Sequence, residues 1–445
     1  MTDLASRVAA EVPRAIDDVV RLVAIPSVSS MPEHHADVQR SADAVADLLR
    51  EAGSDDVRVL SSGGRPAVVG RWPAPDGTPT VCLYAHHDVQ PVGDTRVWRT
   101  PGFEATVVGD RLYGRGAGDD KGGIGVHLAA LRAFGGRPPV GVTVFVEGEE
   151  EIGSPTLRSF ISEHTELLRA DAYVICDSGN WDVGVPAFTT TLRGVCDCVV
   201  EVATLDHAVH SGQFGGIVPD ALTALCRLLA TLHHDDGSVA VAGLTTSDAP
   251  DLDYPADRLR AESGVLDGVA YLGTGSIVGR SWSKPAVTVI GIDAPGVAVA
   301  SNTLFPSARA KVSLRVAPGQ RASEALDRLV EHLESHAPWG ARVTVTRGSA
   351  GDPGVLPLAG PVAAAATAAF TEAFGVPPVA IGQGGSIPMA ADFQQTYPDA
   401  AILLTAVCDP DSRMHGPNES LHLGDFAKAA LAEALLLERL ATPGL

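Results

Sequence analysis

Apolar residues recur every three to four positions over residues 3–24 and 34–53, which predicts two amphipathic helices at the head of the chain. Ala52-Gly53 supplies a stop for the second. The period then shortens. Val57–Leu60, Ala67–Trp72 and Thr80–Tyr84 are brief β-rich runs and predict strands. A helix is expected from Lys121 to Phe134, ended by Gly135-Gly136, then a strand over 140–147, a helix over 154–169 and a strand over 172–176. This alternation predicts an α/β fold, a mostly parallel sheet flanked by helices. Ligands in such a fold bind beyond the carboxyl ends of the strands.

The pattern changes near residue 195. Strands are expected at 195–203, 284–293, 308–316 and 341–347, with helices at 219–234 and 322–336. The order β-α-β-β-α-β describes a compact inserted α+β domain. The stretch 235–283 is rich in Asp, Gly, Ser and Pro and reads as an irregular excursion. After Gly351-Asp352-Pro353 the first pattern returns, with a helix at 361–374, a strand near 400–405 and a final helix at 424–440. The expected domains are therefore 1–194 and 352–445, two parts of one catalytic domain, with 195–351 inserted between them. A length of 445 residues suits two cores better than one.

A formal net charge of -21 argues against nucleic acid or an anionic membrane as partner. Residues 1–7 carry no signal-peptide pattern, and no apolar run approaches the ~20 residues of a membrane span. The six cysteines are scattered without a CxxC pair, as expected of reduced thiols in a cytoplasmic protein. Cys196 and Cys198 read as a structural pair on one face of a strand.

Chemistry concentrates after the predicted strands. Glu149-Glu150-Glu151 closes the apolar run Val142–Glu147, where adjacent carboxylates are costly unless a cation or a reaction uses them. His86 and Asp88 follow one strand, and Asp177 follows another. Asp119-Asp120 ends a glycine-rich turn just before a helix. Asp119 is the candidate to bridge two ions, whereas Asp120 reads as no more than a helix N-cap. One of the two adjacent glutamates, Glu150 and Glu151, can ligate while the other takes a proton. His415 completes a set of two histidines and three carboxylates that suits zinc, with manganese or cobalt as substitutes.

The runs Tyr84–Pro91, Tyr113–Gly122 and Glu147–Ser154 resemble the motifs of the aminoacylase–carnosinase–desuccinylase family of co-catalytic metallopeptidases, in its dipeptidase-like branch. That resemblance, which spans about residues 10–440, implies roles for particular side chains. His86, Asp119 and Asp177 would hold one divalent ion, and Asp119, Glu151 and His415 the other. Glu150 would be the general base, Asp88 would orient His86, and the Asp119-Asp120 peptide would be cis. His210 of a second subunit would stabilise the oxyanion, which implies a homodimer. Arg315 would clamp the substrate carboxylate, and Ser386, in Gly384-Gly385-Ser386-Ile387-Pro388, would assist it. Thr303 would make a further contact from the second chain. Gly382-Gln383 stands where that loop often has Arg-Glu.

The expected function is dipeptide hydrolysis at a two-metal centre, with a small-molecule substrate. One alternative is an N-acyl-amino-acid deacylase with the same mechanism. Another, of a different class, is a non-catalytic metal-binding scaffold, which would have no need of Glu150.

Overall fold

The continuous apolar runs of the first half come together as the parallel centre of one large sheet. The chain is described here by a computed structural model covering residues 3–385 and 388–442. Strands β1 (Asp56–Leu60), β2 (Ala67–Trp72), β3 (Thr80–His86), β4 (Gly141–Glu147) and β5 (Ala172–Ile175) lie in the order β1-β2-β4-β3-β5. Ala401–Leu404 and then Ala187–Leu192 extend the sheet beyond β5. The run β4-β3-β5 and Ala401–Leu404 is parallel, and the outer strands are antiparallel to their neighbours. Every residue of β4 is buried, because both faces of the parallel centre are covered; hence its unbroken apolar sequence.

The covering helices include α1 (Asp3–Val23), α2 (His35–Glu51), α3 (Lys121–Ala133) and the C-terminal helix Leu423–Leu440. All of α3 is buried. Gly125 permits that closeness: a Cβ there would stand 2.6 Å from Val19 of α1 and 2.9 Å from Phe426 of the C-terminal helix. His127 of α3 pairs with Glu433 of the C-terminal helix at 2.8 Å, and its Nε2 faces the Tyr84 carbonyl of β3 at 3.0 Å.

Thr191–Val355 and Gly382–Ile387 form a second compact unit, and the rest of the chain forms the first. Among the described residues, 382–385 thus group with the inserted part, whereas the sequence boundaries set them in the second part of the other domain. The second unit has four antiparallel strands, β6 (Gly194–Ala203), β7 (Ala286–Asp293), β8 (Ser307–Val316) and β9 (Arg342–Gly351), in the order β7-β8-β6-β9. Helices α4 (Ala221–Ala230) and α5 (Ala322–Ser335) share its core. β6 alternates, with Cys196, Cys198, Val200 and Val202 buried; both cysteines are free.

The expected helix over 154–169 is two pieces, Leu157–Glu163 and Thr165–Leu168. Thr165 donates its hydroxyl to the Ile161 carbonyl at 2.8 Å and competes with the backbone ladder at the break. Thr106–Val108, Arg111–Tyr113 and Ser420–His422 form a small sheet that periodicity does not reveal, because each strand is only three residues long.

Burial opposes charge on His127, but Glu433 outweighs it and holds the imidazole pKa above its ordinary value. The resulting stabilisation is full below about pH 6.5 and fades as pH rises through the raised pKa. His127→Gln is therefore expected to destabilise the protein more at pH 6 than at pH 9, as read by urea denaturation. An equal loss at both pH values would contradict this.

Candidate active site

The ends of the parallel strands deliver the chemistry. His86 is the last residue of β3, Glu150 and Glu151 sit in a 3-10 turn after β4, and Asp177 follows β5. Asp119 precedes α3, and His415 comes from the loop before the C-terminal helix. The first compact unit thus brings together six expected residues that are far apart in sequence.

Asp119 lies at their centre. Its Oδ1 is 3.1 Å from His86 Nε2, and its Oδ2 is 3.0 Å from His415 Nε2. Asp177 Oδ1 is 3.8 Å from His86 Nε2, and Glu151 Oε2 is 3.1 Å from His415 Nε2. Two potential ligand groups emerge, His86–Asp120–Asp177 and Asp119–Glu151–His415, each with donor atoms within 4.8 Å of one another. The Asp119-Asp120 peptide is cis.

Asp120 matches the sequence reading in position but not in bonding. It stands at the N-cap of α3, but its side chain makes no capping bond. Oδ2 accepts from the His86 amide at 3.3 Å, and Oδ1 is buried without a hydrogen-bond partner. Asp88 also differs in detail. His86 Nδ1 is 3.0 Å from the Asp88 main-chain carbonyl and 3.5 Å from its carboxylate. That carboxylate instead accepts the amides of Glu150 and Glu151, both at 3.1 Å, and so fixes the turn that carries them. Glu149 turns elsewhere, accepting the amides of Arg65 at 3.0 Å and Thr156 at 2.7 Å.

The electrostatics call for cations. Burial, then the charge of Asp177, pushes the Glu150 carboxyl well above the usual carboxylate range. Burial also raises Asp177 and Asp120, with neighbouring carboxylates adding to the effect. Asp119, followed by Glu151, holds His415 up at about 10. Burial opposes charge on His86, but Asp119 and Asp88 outweigh it. The orphaned Asp120 oxygen, and two imidazoles set among six carboxylates, fit a centre built for divalent ions. His86, Asp119 and Asp177, together with Glu151 and His415, offer the nitrogen and oxygen donors that such ions take.

Two residues without an assigned role in the sequence reading brace this centre. Glu419 Oε1 accepts three amides, from Gly116 at 3.0 Å, Gly118 at 3.1 Å and Asp119 at 3.0 Å. Its Oε2 meets Arg115 Nη1 at 2.6 Å. Arg115 Nη2 donates to the carbonyls of His415 at 3.1 Å and Gly416 at 3.2 Å. The pair therefore ties the turn carrying Asp119 to the loop carrying His415. His415 itself has a positive φ of 62°, a conformation that its surroundings must hold. Gln90 adds two bonds to the Glu151 carboxylate, from its amide at 3.1 Å and from Nε2 at 2.9 Å.

The remaining expected residues belong to the second unit. His210 and Thr303 are opposite each other in a short antiparallel pair. His210 is exposed, and its Nδ1 accepts the Gly212 amide at 3.0 Å. Arg315 is half-buried on β8. Ser386 lies outside the described residues.

The family model for Peptidase family M20/M25/M40 matches residues 82–439. The chain belongs to this family. It is thus a peptidase-family hydrolase, of a family that uses divalent metal ions. It is 35% identical over 431 residues to a cysteinylglycine-S-conjugate dipeptidase of Corynebacterium striatum, covering 95% of each chain. It is similar in structure to the di-peptidase Dug1p of Saccharomyces cerevisiae, with a TM-score of 0.86, 23% identity and 99% of each chain covered. For human carnosine dipeptidase 1 the TM-score is 0.84, with 25% identity and 98% of each chain covered. Among the described residues no helix is long and apolar enough to cross a membrane.

Removing Glu419 strands a buried guanidinium and three amides beneath this cluster. Glu419→Ala is expected to cost about 3–5 kcal/mol in chemical denaturation and to lower the divalent-metal content measured by mass spectrometry. Full stability and full metal content in that variant would contradict the bracing role.

Proposed function

We propose that the chain is a dipeptidase. It hydrolyses the amide bond of dipeptides at a centre of two divalent ions, zinc by preference and manganese or cobalt as substitutes. His86, Asp119 and Asp177 would hold one ion, and Asp119, Glu151 and His415 would hold the other. The observation that carries this reading is the Asp119 carboxylate, whose two oxygens face two different imidazoles at 3.1 and 3.0 Å. The dipeptidases among its relatives support the substrate class.

Bound ions supply Lewis-acid polarisation of the scissile carbonyl and lower the pKa of water. Glu150 takes a proton from the attacking water as the new C–O bond forms. When the C–N bond breaks, Glu150 gives that proton to the leaving amine. Its place next to Glu151, in the turn after β4, suits a carboxylate that carries the proton between the two steps. Asp88 keeps Glu150 in register through its main-chain amide. His210 stabilises the oxyanion, and Arg315 receives the free C-terminal carboxylate of the substrate, with Ser386 beside it and Thr303 as a further contact.

The working form is a homodimer, in which the inserted domain supplies His210 to the second copy. The edge strand β7 supports this reading, with Val289, Ile290 and Ile292 all more than two-fifths exposed and Val297, just beyond it, 96% exposed. An open apolar edge of this kind invites a second chain. The six free cysteines support a reducing, cytoplasmic setting.

Glu150→Gln is expected to lower kcat on dipeptides by about 100- to 10,000-fold with both metal ions retained. A fully active variant would contradict the assignment, and a wild type that cleaves only N-acyl amino acids would replace the substrate class.

Replacing Ile290 and Ile292 together by lysine is expected to convert the dimer seen by sedimentation into inactive monomers. A wild type that is monomeric and active would contradict the dimer.

A further inference from the structure

One face of the inserted sheet carries two arginines that, among the described residues, no carboxylate neutralises. The buried positions of β6 are Cys196, Cys198, Val200 and Val202, so Val195 and Asp197 project from the opposite face. Across the ladder, Arg315 stands opposite Val195. Arg193 precedes Val195 by two positions and is half-buried in the same alternation. It therefore shares that face, one diagonal step from Arg315, a distance that long side chains span. Asp197, next along the face, is engaged by Lys311 at 3.4 Å and by the Ser349 hydroxyl at 2.7 Å. Among the described residues neither arginine has an acidic partner. Burial, and then the charge of Arg315, draws the Arg193 pKa down to about 10.

Arg193 is also held in place. Its Nε donates to the Gly384 carbonyl at 3.2 Å and its Nη1 to the Lys284 carbonyl at 3.2 Å. Its main-chain amide donates to the Gln383 carbonyl at 3.2 Å. A Cβ on Gly384 would lie 2.7 Å from Arg193 Nη2, so glycine is what lets the guanidinium lie against this loop. Carbonyls orient a guanidinium without cancelling its charge. The result is a fixed positive centre beside Arg315 that also shapes the run leading to Ser386.

We infer that Arg193 is a specificity-determining positioning residue: it fixes the Gly384 main chain and, with Arg315, selects substrates that carry a free C-terminal carboxylate over neutral ones. This rests on the dipeptidase reading and on Arg315 as the receiver of that carboxylate, and it adds a residue that the sequence motifs do not include.

The test compares a dipeptide with its C-terminal amide, using the full-length, metal-loaded protein. Arg193→Gln keeps a donor for the loop but removes the charge, and it is expected to raise KM for the free acid by about 10- to 100-fold while leaving KM for the amide unchanged. Arg193→Lys keeps the charge and is expected to retain most of the preference for the acid. Equal losses on acid and amide in both variants would reduce Arg193 to a loop support and overturn the inference. If Arg193→Gln does not fold, Arg193→Lys carries the test, with calorimetric titration of an amino acid against its amide. A preference retained supports the inference, and a preference lost overturns it. The two failures are separable: a metal-loaded wild type inert on every dipeptide defeats the dipeptidase reading, whereas an active wild type with an unaltered preference in Arg193→Gln defeats only the role of Arg193.

Discussion

Six carboxylates, Asp88, Asp119, Asp120, Glu150, Glu151 and Asp177, crowd the carboxyl ends of the parallel strands, and the rest of the site answers to that crowding. Charges of one sign packed at this density in a poorly solvated place repel one another and lose hydration. The protein meets the cost in three ways. Two imidazoles face the oxygens of Asp119. Main-chain amides satisfy Asp88 from the turn that bears Glu150 and Glu151. The remaining demand, marked by the unpartnered Asp120 oxygen, is one that divalent ions meet.

The same constraint explains why so much of the scaffold is polar and buried. Arg115 and Glu419 are 304 positions apart in sequence, yet they form an ion pair at 2.6 Å beneath the centre. A buried pair of this kind is weak evidence for stability on its own, because desolvation offsets the Coulomb gain. Its value here is positional. One partner gathers the amides of the Asp119 turn, and the other gathers the carbonyls of the His415 loop. Asp119 and His415, from two remote segments, are thereby held at one geometry.

Much of this was legible before the fold was known. His86, Glu150, Glu151 and Asp177 stand directly after apolar runs, and an apolar run that ends in a carboxylate or imidazole is a local signal. The parallel centre was legible for the same reason, since strands covered on both faces lose their polar alternation. Asp120 does stand at the N-cap of α3, as its sequence position implies; what sequence does not report is that its carboxylate accepts from the His86 amide. Glu419 and Arg115 carry no local signal, since their meaning lies in contacts between distant segments. Arg193 was hidden in a strand-like run, where an arginine reads as an ordinary exposed position until the register with Arg315 is known. The three-residue strands near residues 106–113 and 420–422 were too short to show a period.

The central claim is that Asp119 bridges two ions. The most direct test is a crystal of the zinc-loaded protein, measured on both sides of the zinc absorption edge. The account predicts two anomalous peaks about 3.5–4 Å apart, one beside His86 and Asp177 and one beside Glu151 and His415, with an Asp119 oxygen directed at each. A single peak, or two peaks that do not share Asp119, would contradict it.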